Sequence, residues 1–330
     1  MTSFRDSPLY STTEQIQRNA KLAQAAEAGD LAEVVRLLAL GANPESSNSA
    51  ALANAAAAGH VECVKLLAPI SDPMAHNSIA LGLAAAHGHA ECVRLLIPGS
   101  DCKAGQSYAL RWAARDGHAE CVKLLIPVSN SKDDKSAPLR AAAENGHVEC
   151  VKHLIPASDP RASNSSALRF AAANGHTECV RLLTPTSGPK AQRSKALGLA
   201  ALNGHAECVK IILPVSNASD NNFTALRWAA KFEHADCVRL LLAAPHPADV
   251  LAEVLSEALV AGHADIVAVL LDCHPLLLEG RDLSRRQFEA ETQRHAKLSL
   301  LLSSIIEQRD LSSAISSSPA HTPRSSSSRL

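Results

Sequence analysis

The dipeptide Gly-His falls at residues 59–60, 88–89, 117–118, 146–147, 175–176 and 204–205, and every step is 29 residues. The same step reaches Glu233-His234 and Gly262-His263, while Gly29-Asp30 lies one step back from residue 59 with one residue to spare. A fixed period of this kind constrains a fold tightly, because each unit must bury its apolar face against a copy of itself. Nine units between about residues 19 and 273 follow.

Residues 107–127, SYALRWAARDGHAECVKLLIP, show what a unit contains. Leu110, Ala113 and Ala114 recur at the spacing of one apolar helix face. Gly117 ends that helix as a residue able to turn left-handed without a Cβ penalty. A second helix follows, with Cys121, Val122, Leu124 and Leu125 inward and Glu120 and Lys123 outward, and Pro127 closes it. The connecting stretch, such as residues 128–136, is rich in turn formers. Helices of about nine residues are marginal alone, so stacking has to stabilise them.

Aromatic residues make up only 3 % of a chain that is 46 % apolar. Ala, Leu and Val must therefore pack the interior, which suits thin helices in close layers. A net charge of −1 offers no whole-protein attraction for nucleic acid or an anionic membrane. No run of about 18 apolar residues predicts a membrane span, and residues 1–13 lack an apolar signal segment. A cytoplasmic location with unpaired cysteines is expected, although a non-classical export route would leave no mark in the sequence.

The segment GHAECVKLLI resembles the second helix of an ankyrin repeat, and the preceding ALRWAARD is similar to its first helix. The first unit, AEAGDLAEVVRLLALGANPE, keeps the ankyrin Gly-Ala-Asn after its second helix. The resemblance covers about residues 19–273 and implies an all-α, ankyrin-like helix-turn-helix solenoid of about nine repeats. Two departures matter. The period is 29 rather than 33, and Pro-x-Ser-Asp/Asn, as in Pro98-Gly99-Ser100-Asp101, replaces the ankyrin β-finger, so short loops are expected instead of a projecting hairpin. The usual His of the first helix becomes Arg111, Arg140, Arg169 and Arg227, or Gly82 and Gly198.

Three regular columns invite a chemical reading. Cys63, Cys92, Cys121, Cys150, Cys179, Cys208 and Cys237 share one position, which Val34 and Ile266 occupy in the first and last units. A small buried apolar group fits that range, and stacked helices about 8–10 Å apart hold neighbouring thiols too far apart for a disulfide. The alternative is a metal- or redox-responsive array using the Cys and His columns. No C-x-x-C or H-x-x-x-H pair accompanies the histidines, and Asp30 replaces the first of them, so an N-capping role is expected. Cys102 and Cys273 lie off the ladder and are expected to be exposed. Ser71, Ser100, Ser129, Ser158, Ser187 and Ser216 read as hydroxyl-capped turns. Glu62, Glu91, Glu120, Glu149, Glu178 and Glu207 suit the first turn of the second helix. No catalytic constellation, metal site or cofactor is expected.

Shared positions are explained by folding, so a partner should read the positions that differ. These are Arg115-Asp116, Glu144-Asn145, Ala173-Asn174, Leu202-Asn203 and Lys231-Phe232, just before the Gly-His turn. The ankyrin resemblance implies that they line a concave groove. Loop residues Lys103, Tyr108, Lys132, Asp133, Arg161, Lys190, Arg193 and Phe223 come next. Trp112, Phe170 and Trp228 share a column with Leu83 and Asn54, and serve either inter-repeat packing or contact. The Arg111 column forms a basic stripe or pairs with a neighbour's loop Asp. The expected whole is a monomeric, non-catalytic scaffold or adaptor that binds another protein, with no nucleic-acid or membrane partner.

The chain divides on this reading into a polar segment (1–18), the array (19–273), a helical cap (274–310) and a disordered Ser-rich tail (311–330). The cap, with Phe288, Leu298, Leu300, Leu301, Ile305 and Ile306 among charges, either folds over the last repeat or presents itself to a partner.

Overall fold

A computed structural model describes residues 8–278 and 295–317. The described residues hold α-helices and short 3-10 turns and no strand. The chain is all-α, a solenoid of paired helices that divides into two compact units, residues 1–200 with 207–217 and residues 201–206 with 218–330.

The first unit begins with α1 (Pro8–Ala28) and α2 (Leu31–Ala39), then pairs α3 (Ser46–Ala58) with α4 (Val61–Leu67) and α5 (Ala75–Ala86) with α6 (Ala90–Leu96). The pairs α7 (Ala104–Asp116) with α8 (Ala119–Leu125), α9 (Asp133–Glu144) with α10 (Val148–Leu154) and α11 (Ala162–Ala173) with α12 (Thr177–Leu183) follow. Then come α13 (Ala191–Leu202) and α14 (Ala206–Ile212). First helices stack on first helices and second on second, so α5 packs between α3 and α7. Alanine pairs such as Ala113-Ala114 and Ala142-Ala143 are wholly buried where these helices meet. Leu110, Cys121, Val122 and Leu125 fill the rest of each layer, whereas Leu124 is only half-buried. Removing one such leucine costs about 2–5 kcal/mol.

The ends depart from the sequence boundaries. Helix α1 runs across residue 18 without a break, so the residues from Pro8 onward belong to the first repeat's own helix. In the second unit, α15 (Asp220–Lys231), α16 (Ala235–Leu241), α17 (Ala248–Ala261) and α18 (Ala264–Cys273) continue the pattern. After a 3-10 turn at Pro275–Leu278, α19 (Ala296–Ser317) lies on α18. Its Leu298 and Leu302 are 1 % and 0 % exposed, so this helix covers the last repeat. His295 sits against Gly262 as each repeat's histidine sits against the preceding glycine. Helix α19 also runs to Ser317, past residue 311, the expected start of the Ser-rich tail. Phe288 and residues 318–330 lie outside the described residues.

Seven first helices open in an unexpected way. Residues 47–49, 76–78, 105–107, 134–136, 163–165, 192–194 and 221–223 each form a single left-handed turn, with φ between 43 and 61°. Each turn closes on a backbone bond four residues back, as from Ser107 N–H to Lys103 O. An L-residue held in this conformation costs about 1–2 kcal/mol. The loops offset that cost by bonding across repeats. The last serine of the turn is buried, and its Oγ accepts the N–H of an Asp, Asn or Gly 23 residues on. The pairs are Ser49–Asp72, Ser78–Asp101, Ser107–Asn130, Ser136–Asp159, Ser165–Gly188 and Ser194–Asn217, all at 2.8–3.0 Å. The ladder ends where Phe223 takes the serine's place.

Candidate functional site

The glycine of each Gly-His pair has φ near +80°, which ends the first helix as expected, but it has a second task. A Cβ on Gly117 would lie 2.6 Å from Nδ1 of His147, the histidine of the next repeat. That ring lies over the glycine, and its Nε2 donates to Arg115 O at 2.9 Å. His60, His89, His118, His176 and His234 make the same bond, at 2.9–3.0 Å, to Glu27, Ala57, Ala86, Glu144 and Leu202. A carbonyl partner requires the proton on Nε2. The expected N-cap role is therefore corrected: these histidines occupy the N-cap position, yet their rings leave their own helix uncapped and satisfy the preceding repeat's orphan carbonyls. Asp30 caps as expected, accepting the Glu33 N–H at 2.9 Å. Glu233 shows the steric logic by exception. It has a Cβ where the others have none, and His263 turns its ring to offer Nδ1 to Ala230 O and Nε2 to Glu233 Oε1.

The thiol ladder is fully buried. Burial pushes the Cys121, Cys150 and Cys179 thiols up to about 11. Such a thiol is a poor nucleophile and a poor metal ligand at neutral pH. Among the described residues no group of three or more His, Cys, Asp and Glu side chains is placed to hold a metal ion. Cys273 is exposed as expected, but Cys102 is buried, at 8 % exposure, because the neighbouring loop packs over it and Ser129 Oγ donates to its carbonyl. That bond also corrects the serine reading. Ser100, Ser129, Ser158 and Ser187 donate to carbonyls of the previous repeat's loop instead of capping their own turns.

Two aromatic side chains expected at the loop surface are buried, each at 9 % exposure. Tyr108 lies where a Cβ on Gly82 would collide with its ring, and it meets Trp112 edge-on with centroids 4.9 Å apart. Its hydroxyl is buried without a partner, and burial raises it to about 12. Phe223 packs against His246. Trp112 and Trp228 are half-buried and Phe170 is exposed. The arginine column does not pair with neighbours' loop aspartates. Arg140 meets Asp134 of its own loop at 3.3 Å, Arg169 bonds Gln192, and Arg227 meets Glu253 at 2.6 Å and Glu257 at 3.7 Å. No hydrogen bond or ion pair to Arg111 occurs among the described residues.

The positions before the Gly-His turn behave differently from all these columns. In the first unit Arg115, Asp116, Glu144, Asn145 and Asn174 are exposed at the C-terminal ends of first helices. Arg115 and Asp116 form a bidentate pair, Nε–Oδ1 at 2.8 Å and Nη2–Oδ2 at 2.9 Å, which holds the Asp116 carboxyl below its usual range. Asn145 and Asn174 donate to Ala141 O and Glu144 O. In the second unit Asn203, Lys231 and Phe232 are exposed and Leu202 is half-buried. Half of the Phe232 surface faces solvent. A cavity of about 270 Å³ is lined by Lys231, Val254, Glu257, Ala258 and His263, among others.

Stacked helix pairs with invariant buried columns and a variable exposed face define a repeat scaffold. The chain belongs to the ankyrin repeat family, whose three-copy repeat model matches residues 22–106, 81–164, 110–194, 168–253 and 197–279. No curated protein matches the chain. No helix among the described residues is long and apolar enough to cross a membrane.

Proposed function

We propose that this protein is a non-catalytic interaction scaffold that holds a partner protein against the C-terminal ends of its first helices. Ankyrin repeats are in general protein-interaction modules, and the observation that carries the reading is the contrast between columns. Positions that repeat are buried, bonded between repeats or paired within their own helix, whereas Arg115, Glu144, Lys231 and Phe232 differ from their counterparts in neighbouring units and face solvent. Exposed Arg and aromatic side chains are the residue types that anchor interfaces. Trp112 and Trp228, half-buried beside this face, offer flat edges to the same partner, and Asp116, Asn145, Leu202 and Asn203 complete the surface in their units. The partner is another protein, held by a monomeric chain inside the cell.

The test is capture of the physiological partner by the full chain and by a variant with Arg115, Lys231 and Phe232 all changed to Ala. Loss of capture with unchanged far-UV helicity supports the reading. Undiminished capture places the interface elsewhere.

A further inference from the structure

The loops and first helices of the first unit carry a charge that the second helices do not. Between residues 103 and 195 there are fourteen Lys and Arg against eight Asp and Glu. On the second helices the cations are matched three residues back, as in Lys65–Glu62, Arg94–Glu91, Lys152–Glu149 and Arg181–Glu178. At the loop face they are not. An open depression of about 790 Å³ there is lined by Lys132, Lys135, Arg161, Arg169, Asp159 and Gln192, among others. No ion pair to any of those four cations forms among the described residues.

The carboxylates close by are already engaged. Asp133 accepts from Ser107 Oγ and from the Asn130 amide, and Asp134 meets Arg140. Asp159 accepts the backbone N–H of Arg161 at 3.0 Å. The Arg169 guanidinium is held between Gln192 Oε1, at 2.9 Å, and Ser163 O, at 3.0 Å, while its buried Nε has no partner. Arg169 is therefore held in place, and the lining carries four cations against the one carboxylate of Asp159.

We propose that this loop face binds an extended acidic segment of a polypeptide. Lys132 and Arg161 hold the same position in successive repeats, and Lys103 and Lys190 extend that column one repeat each way. Stacked helices lie about 8–10 Å apart. A chain in the extended polyproline II form rises about 3.1 Å per residue with three residues per turn, so carboxylates at every third residue share one face and keep step with the column. An arginine fork suits a carboxylate. Nucleic acid fits less well, because the lining holds no aromatic side chain on which a base can stack. The site uses none of the residues of the first-helix surface, so it stands or falls separately.

The experiment is fluorescence anisotropy on the full chain with a labelled Gly/Ser peptide of about twelve residues carrying Glu at every third position. The wild-type chain is expected to bind it, with affinity falling steeply as added salt shortens the screening length. Reversing Lys132→Glu and Arg161→Glu together is expected to weaken binding at least about tenfold, and the neutral pair Lys132→Gln and Arg161→Gln by less, in charge order. Reversing Lys65→Glu and Lys152→Glu on the second helices should leave affinity within about twofold. An oligothymidylate of equal length should bind more weakly than the peptide. Absence of peptide binding, equal affinity in the loop-reversed variant, or tighter binding of the oligonucleotide would each overturn the proposal. The Arg115, Lys231 and Phe232 triple variant should bind this peptide as the wild type does, whatever happens to its partner capture.

Discussion

Gly117 and His147 show how single residues hold this molecule together. The glycine is needed twice, for its left-handed backbone and for the space under the next repeat's imidazole. Gly117→Ala should therefore destabilise by about 2 kcal/mol or more, combining backbone strain with a displaced ring. In a His147→Ala background the same change should cost only the strain, about 1 kcal/mol. A urea-denaturation double-mutant cycle measures the difference, and strict additivity would show that ring and glycine do not interact. The column was visible in the sequence as a repeat. The partner was not, because a backbone carbonyl 32 residues earlier carries no side-chain signature. The burial of Cys102 is hidden in the sequence for a similar reason: it belongs to no column, and the loop that bonds its carbonyl comes near only on stacking. Tyr108 reads as a loop residue from the sequence because nothing in its own repeat reveals the slot above Gly82.

At the scale of elements, the helix pairs followed directly from apolar spacing, Gly stops and Pro ends. The loops did not. Asn, Ser and Asp announced turns, but propensity could not say that three residues in succession turn left-handed. The column read as turn-capping serines was real, yet a second one, Ser49 to Ser194, carries the more regular ladder. Its 29-residue period was there to be found, always 23 residues before an Asp, Asn or Gly. Gln106 sits mid-turn at φ 59°, so Gln106→Gly should raise stability by about 0.5–1 kcal/mol, against the usual cost of glycine in a helix. A loss of that size would mean the turn is right-handed. Ser136→Ala leaves the Asp159 N–H without its acceptor and should cost about 1–3 kcal/mol. Both shifts are readable in thermal or urea melts.

The buried thiol ladder belongs to the stack as a whole. Its folded values are raised by burial, from the ordinary 9.0 to about 11 for Cys121, Cys150 and Cys179. The unfolded chain therefore loses these protons first as pH rises. The stability they contribute is complete below pH 9 and is lost as pH climbs through about 11. Replacing the three with Val should move the alkaline unfolding transition to higher pH, as followed by circular dichroism. In the native chain at neutral pH a thiol reagent should modify Cys273 quickly and the eight buried cysteines only on unfolding. Rapid reaction of the ladder would contradict the packing described.

Whether a partner reads the non-repeating columns is tested most directly by crosslinking from single positions. A photoreactive phenylalanine analogue placed at Phe232 or Arg115 should crosslink the physiological partner. The same analogue at Lys65 or Lys152, on second helices where cations are already paired, should give none. Crosslinks from Lys65 and Lys152 with none from Phe232 and Arg115 would put the partner on the other side of the repeats and contradict the proposed surface.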